Sequence, residues 1–167
     1  MQTPNSGNKK VKVLFVCLGN ICRSPAGEGI FKKMVADCGL ENEILVDSAG
    51  TSGWHEGDLP DERTREHGRR RGYDLNSRAR KFVAGDFKKF DYIIVMDEEN
   101  YNNVSKLAKD KNDLSKIHRM VDFSNKYNHD FIPDPYYGGP ADFELVMDLL
   151  EDACENMLEE IKAKHNF

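Results

Sequence analysis

The chain has 167 residues, 39% of them hydrophobic and 32% charged, enough for one compact domain around a single sizeable core. A formal charge of -5 argues against a general nucleic-acid binder, which carries a basic excess on at least one face, so any anion site must be local. No apolar run approaches the ~18 residues of a membrane span and the start, Met1 to Asn8, lacks the apolar core of a signal peptide; four cysteines, at 17, 22, 38 and 154, are too few for a secreted disulfide framework, and a soluble, cytoplasmic protein is expected.

Residues 1–10 are polar and expected to be disordered, leaving residues 11–167 as the folded domain. Val11-Lys12-Val13-Leu14-Phe15-Val16 is β-branched and apolar and predicts a strand buried on both faces, ending at Cys17. Ser24-Pro25 predicts a helix start, with Ser24 as cap and Pro25 in the first helical position. Ile30, Phe31, Met34, Val35 and Cys38 then recur at helical spacing until Gly39 stops the run. Ile44-Leu45-Val46 predicts a second strand, followed by the turn-rich stretch from Ser48 to His55 and a polar helix from Asp61 to Arg71, whose Arg69-Arg70-Arg71 reads as a solvated, dipole-favoured end.

Tyr92 to Met96 predicts a third strand, Glu98 to Ala108 a helix, and Ile117 to Val121 a short fourth strand. Phe143, Val146, Met147, Leu150, Cys154, Met157 and Ile161 line one face of a long terminal helix. Such alternation predicts an α/β fold: a single domain with a central four-stranded parallel sheet and helices on both faces. Ligands in such sheets bind beyond the carboxyl ends of the strands, which singles out residues 17–24, 48–55, the chain from Asp97, and the segment near Asp134.

The loop between the first strand and the first helix carries the chemistry: Cys17, five residues, then Arg23 and Ser24. A short turn entering a helix points successive N–H groups inward, and the helix N-terminus adds partial positive charge, so the loop forms an anion cradle. Gly19 allows a tight fold and Asn20 tolerates left-handed geometry, while Leu18, Ile21 and Cys22 complete the loop. Arg23 supplies a planar fork for two phosphate oxygens. Cys17, at the base of this bowl, is placed as the nucleophile, with the Ser24 hydroxyl positioned to donate to its thiolate. Cys17 and Cys22 have no second Cys or His pair at ligand spacing, so neither metal nor cofactor is expected.

Val16-Cys17-Leu18-Gly19-Asn20-Ile21-Cys22-Arg23-Ser24-Pro25 resembles the active-site signature of the low-molecular-weight protein tyrosine phosphatases. The likeness continues through Asp47-Ser48-Ala49-Gly50-Thr51, Trp54, Met96-Asp97-Glu98 and Asp134-Pro135-Tyr136-Tyr137-Gly138. It implies hydrolysis of phosphotyrosine through a cysteinyl-phosphate intermediate. Expelling a phenolate calls for a placed acid contributing on the order of 10²–10⁴ in rate. Asp134 is the candidate, between a rigid turn and two aromatics expected to shield it from water; in the family the matching aspartate is acid and then base.

Trp54 and Tyr136, with Tyr137, are candidates to flank a flat ring above the cradle, and Leu18 and Ile21 to line its rim. Asn20, Ser48 and Asp97 are expected to support the loop through side-chain hydrogen bonds. The resemblance also implies a reversible disulfide between Cys22 and Cys17 that shields the nucleophile from oxidation. One departure stands out: Ser77 occupies a position where the family often has a histidine. The expected partner is a phosphotyrosine-containing protein, and the bacterial style of the loops points by analogy to a tyrosine kinase of polysaccharide export. Inorganic phosphate is the expected product and inhibitor, with no nucleic acid and no membrane insertion.

Three other chemistries suit a Cys-x5-Arg cradle. Arsenate reduction needs shuttle cysteines, and residues 80–90 contain none. Phosphoarginine hydrolysis is associated with threonine where this chain has Ile21. A phosphocarrier has little need of an acid such as Asp134.

Overall fold

The computed structural model describes residues 9–167. Residues 1–8, most of the segment expected to be disordered, lie outside the described residues. In chain order the elements are β1 (Val11–Cys17), α1 (Arg23–Asp37), β2 (Ile44–Gly50), α2 (Glu62–Arg70), α3 (Asp86–Lys89), β3 (Tyr92–Val95), α4 (Glu98–Ser105), α5 (Lys111–Ser115), β4 (Ile117–Arg119) and α6 (Pro140–His165).

The four strands pair in parallel in the order β2-β1-β3-β4. Successive connections leave β1 first toward one edge and then toward the other, which makes the end of β1 the switch point where such sheets open a crevice. Burial explains why the apolar run of β1 has no polar face. Val11, Val13, Phe15 and Cys17 pack with Ile30 and Phe31 of α1 and Leu150 and Met157 of α6. Leu14 and Val16 pack on the other side with Phe87, Phe90, Ile93 and Val104. Helices therefore cover both faces, as the alternation predicts.

Several boundaries differ from the sequence expectation. Ser24 does not cap α1: Cys22 is the cap residue, without a side-chain bond, and the Ser24 hydroxyl reaches back to Cys17. Pro25 is third in the helix, still in the first turn, where an N–H lacks an intrahelical partner anyway. The C-terminus of α1 follows its glycine. Gly39 has φ 72°, its N–H bonds Ala36 O at 2.9 Å and that of Leu40 bonds Val35 O at 2.9 Å, which satisfies the last carbonyls.

β2 runs on to Gly50, because Asp47–Gly50 stay in register with Leu14–Cys17. α4 ends at Ser105, and its tail tightens into i→i+3 bonds from Leu107 and Ala108. β4 stops at Arg119 because its partner β3 ends at Val95; Met120–Phe123 then winds into a 3-10 turn. Arg71 is no solvated end: it pairs with Glu144, Asp148 and Glu151, fastening α2 to α6. Among the described residues no helix is long and apolar enough to cross a membrane.

Candidate active site

Cys17 ends β1 and is 3% exposed. The loop that follows spends its carbonyls on its surroundings: Cys17 O accepts from Thr51 N at 2.9 Å, Leu18 O from Ser52 N at 2.9 Å and Ile21 O from Asp61 N at 2.8 Å. Among the described residues no N–H from Leu18 to Cys22 has such a partner, so the loop offers donors inward beside the N-terminus of α1. The tight bend is made by Asn20, with φ 57°, rather than by Gly19, whose φ is not positive. A left-handed residue with a side chain costs about 1–2 kcal/mol, and Asn20 offsets this with three hydrogen bonds.

Asn20 Nδ2 donates to Ser24 Oγ at 2.8 Å and to Ser48 Oγ at 2.9 Å. Its Oδ1 accepts the backbone N–H of Arg80 at 3.0 Å. Ser48 Oγ donates to Glu28 Oε1 at 2.6 Å, and Lys32 Nζ lies 2.6 Å from Glu28 Oε2. The network reaches the sulfur through Ser24 Oγ, 3.0 Å from Cys17 Sγ. Ser77 takes no part at Asn20, whose oxygen is held by a main-chain group three residues further on.

Arg23 is 2% exposed. Its Nη1 donates to Asp97 Oδ2 at 2.6 Å and to Ile132 O at 2.9 Å, and its Nη2 lies 3.7 Å from Asp134 Oδ2. Burial opposes its charge, but Cys17 and the bond to Asp97 outweigh this and raise the guanidinium above its usual range. Asp97 has a double task, since its Oδ1 also caps α4 by accepting from Asn100 N at 2.8 Å. Asp134 Oδ1 accepts from Tyr136 N at 3.1 Å, which leaves Oδ2 turned to Arg23.

A cavity of about 420 Å³ opens above the sulfur. Leu18, Gly19, Ile21, Cys22, Arg23, Ser52, Trp54, His55, Asp134, Tyr136 and Tyr137 line it with Cys17. Asn20, Ser24, Ser48 and Asp97 lie behind this lining, holding it. The shielding expected around Asp134 is weaker than foreseen: its side chain is 40% exposed, because Tyr137 is turned out to solvent and Tyr136 is only partly covered. Trp54 likewise stands free of the protein, 92% exposed, an apolar plate at the mouth rather than a packed wall.

Burial pushes the Cys22 thiol up to about 12. Cys22 therefore stays a neutral thiol at neutral pH and leaves Cys17 without a competing thiolate. Among the described residues no three His, Cys, Asp or Glu side chains converge as metal ligands.

Sequence reasoning passed over Glu28, Arg63 and His55. Glu28 had a legible signal, a carboxylate one helical turn beyond Ser24 and one before Phe31 on the same face. Arg63 had none, because its link to the acid loop, the carbonyl of Tyr136, lies 73 residues away.

The family model described as low molecular weight phosphotyrosine protein phosphatase matches residues 12–166. A protein of Synechocystis named as a low molecular weight protein-tyrosine-phosphatase is 50% identical over 150 residues, covering 89% of this chain and 94% of its own. Among solved structures, a protein tyrosine phosphatase from Entamoeba histolytica superposes with a TM-score of 0.88 at 46% identity, over 93% of this chain and 98% of that one. A Drosophila arginine phosphatase superposes at 0.85 with 33% identity, over 91% and 98%. Matched nearly end to end in sequence and in fold, the chain belongs to the low molecular weight phosphotyrosine protein phosphatase family.

Proposed function

We propose that the chain hydrolyses phosphotyrosine in proteins, with Cys17 as nucleophile, Arg23 and the loop amides as phosphate binders, and Asp134 as general acid and base. The observation that carries the reading is the convergence of Cys17, the Arg23 fork and Asp134 Oδ2 on one cavity with an aromatic mouth.

In the first displacement the Cys17 thiolate attacks phosphorus and the bond from phosphorus to the phenolic oxygen breaks. Asp134 gives that oxygen its proton. In the second, Asp134 takes a proton from water as its oxygen attacks phosphorus. The sulfur–phosphorus bond then breaks, and the departing thiolate receives a hydrogen bond from Ser24. The amides and Arg23 neutralise the equatorial oxygens in both steps. Leu18, Ile21, Trp54 and Tyr136, with Tyr137 beyond them, offer the apolar surface for the ring.

Similarity to an arginine phosphatase keeps a phosphoramidate substrate in view. Ile21 and the two exposed aromatics favour the aryl ester. Cys22, in the same cavity as Cys17, serves this reading as the thiol that captures an oxidised Cys17 as a disulfide, releasing water and sparing it further oxidation. The bacterial style of the loops and the 50% identity to a Synechocystis protein favour a bacterial, cytoplasmic enzyme, with a tyrosine kinase of polysaccharide export as substrate and inorganic phosphate as product and inhibitor.

Turnover of para-nitrophenyl phosphate in EDTA tests the scheme. Cys17→Ser should abolish it, and retained turnover would sink the covalent path. Phosphotyrosine and phosphoarginine peptides assayed side by side settle the substrate.

A further inference from the structure

The acid loop touches the phosphate loop directly through Arg23 and is tied to it a second time through one exposed arginine. Arg63, in the first turn of α2, donates from Nε to Asp61 Oδ1 and from Nη2 to Asp61 Oδ2, each at 3.1 Å. Nη2 also donates to the carbonyl of Tyr136 at 3.0 Å. Its guanidinium lies over two rings, 4.7 Å from the centroid of Phe143 and 5.4 Å from that of Tyr136. Phe143 is held in turn by His67, stacked at 5.5 Å, and packs with Ile21 and Cys22.

Each end of this arrangement reaches the chemistry. Asp61 N donates to Ile21 O of the phosphate loop, and Asp61 caps α2 by accepting from Arg63 N at 2.8 Å. Tyr136 N holds Asp134 Oδ1. From the phosphate loop to the acid the path is therefore Ile21, Asp61, Arg63, Tyr136, Asp134, every link a hydrogen bond or a peptide bond. In the segment 134–139 Pro135 is buried, Gly138 N bonds Pro135 O at 2.8 Å and Gly139 N bonds Asp142 Oδ2 at 2.9 Å, while Asp134, Tyr136 and Tyr137 are exposed and Arg63 is the side chain that holds the carbonyl of Tyr136. Burial of Asp61 works against its charge, yet the bonds from Arg63 hold the carboxyl below its usual range, so the fork is an ion pair at working pH.

We propose that Arg63 is a positioning residue that holds the loop of Asp134 at the height where Oδ2 reaches the leaving oxygen. This rests on the assignment of Asp134 as general acid. A planar fork paired with Asp61 and in contact with two rings fixes both distance and direction, which a lysine would not do. Small misplacements of a proton donor are felt steeply in rate, and they are felt most by leaving groups that need the proton.

The test measures kcat/KM, which reports cleavage of the phosphorus–oxygen bond, for aryl phosphates from 2,4-dinitrophenyl to phenyl. Wild type, Arg63→Gln, Asp134→Ala and the double variant are compared, with thermal unfolding run on each. Arg63→Gln should lose about tenfold to a hundredfold on phenyl phosphate and no more than about twofold on the dinitrophenyl ester. Added to Asp134→Ala it should cost no more than about twofold on any ester, since no acid is left to position. Arg63→Lys carries the same comparison if the glutamine variant does not fold. A uniform loss across the series, or an undiminished loss in the Asp134→Ala background, overturns the proposal. If Asp134→Ala steepens the leaving-group dependence and Arg63→Gln does not, positioning by Arg63 fails alone. If neither steepens it, the acid assignment fails and the proposal with it.

Discussion

Cys17 Sγ and Ser24 Oγ lie 3.0 Å apart, and the charge on the sulfur decides which of them donates. Asn20 Nδ2 already gives a proton to Ser24 Oγ, so the single Ser24 proton is free for the sulfur or for Ala49 O, which lies further away at 3.3 Å. A thiolate at Cys17 has no proton to give, so across this contact a charged sulfur accepts and Ser24 donates. This hydrogen bond is strongest when the sulfur carries full charge, as it would on leaving phosphorus in the proposed path. Ser24→Ala should slow release of phosphate from the cysteinyl phosphate. A bond to a charged group contributes about 1.5–3 kcal/mol, roughly tenfold to a hundredfold in kcat. Rapid-quench kinetics should show a phenol burst approaching one equivalent, and an unchanged kcat would remove Ser24 from the mechanism.

Asn20 couples backbone shape to the same network, and two substitutions separate the two contributions. Asn20→Ala loses three hydrogen bonds and keeps a left-handed φ without the local bonding that makes it tolerable. Asn20→Gly loses the same bonds but relieves the backbone by about 1 kcal/mol. The glycine variant should unfold at the higher temperature, yet both should show kcat/KM down by on the order of 10²-fold, as a loose anion cradle would. Recovery of activity in the glycine variant would mean that loop shape alone matters.

The strand-loop-helix unit at Cys17 was legible because its signals are local: a buried strand, a cysteine and arginine at fixed spacing, a proline in the first turn. Asp97 and Asp134 were legible only as members of motifs. Nothing near Asp97 announces that one carboxylate will both cap α4 and pair with an arginine 74 positions earlier. Short elements escaped for a related reason. Asp86–Lys89 is four residues long and has no period to read; its place depends on Asp86 accepting from Arg80. Ser24 misled because the residue type that caps helices is also the one that can serve a sulfur, and only the fold decides between them.

Gly50 marks where β2 passes beneath the phosphate loop. A Cβ there would stand 2.8 Å from the carbonyl oxygen of Leu18 and 3.1 Å from the Asn20 amide nitrogen, against backbone that cannot rotate away. Gly50→Ala should therefore push the loop outward, at about 1–3 kcal/mol in stability and with kcat/KM lowered by at least about tenfold. Phosphate inhibition measured in parallel should weaken too. A variant with full activity and unchanged phosphate affinity would show that the loop yields without loss.

Arg71 ties α2 to α6, and its partner Glu144 gives stability a pH dependence of known sign. Glu144 accepts from His67 Nδ1 at 2.6 Å and from Arg71, and these bonds, His67 first, hold its carboxyl below the usual range. A carboxylate whose folded pKa is depressed contributes stability that is fully present above its unfolded value, about 4.3. That contribution is lost as pH falls through the lower folded value. Urea unfolding should accordingly lose free energy as pH drops below about 4. Partly exposed pairs contribute about 0.2–1 kcal/mol each after screening, and three of them meet at Arg71. Arg71→Ala should thus cost roughly 1–2 kcal/mol at neutral pH and flatten the acid-side decline, while kcat/KM at neutral pH stays within about twofold of wild type. If the variant keeps the full acid-side slope, the stabilisation of Glu144 comes from His67 alone, and Arg71 only bridges the two helices.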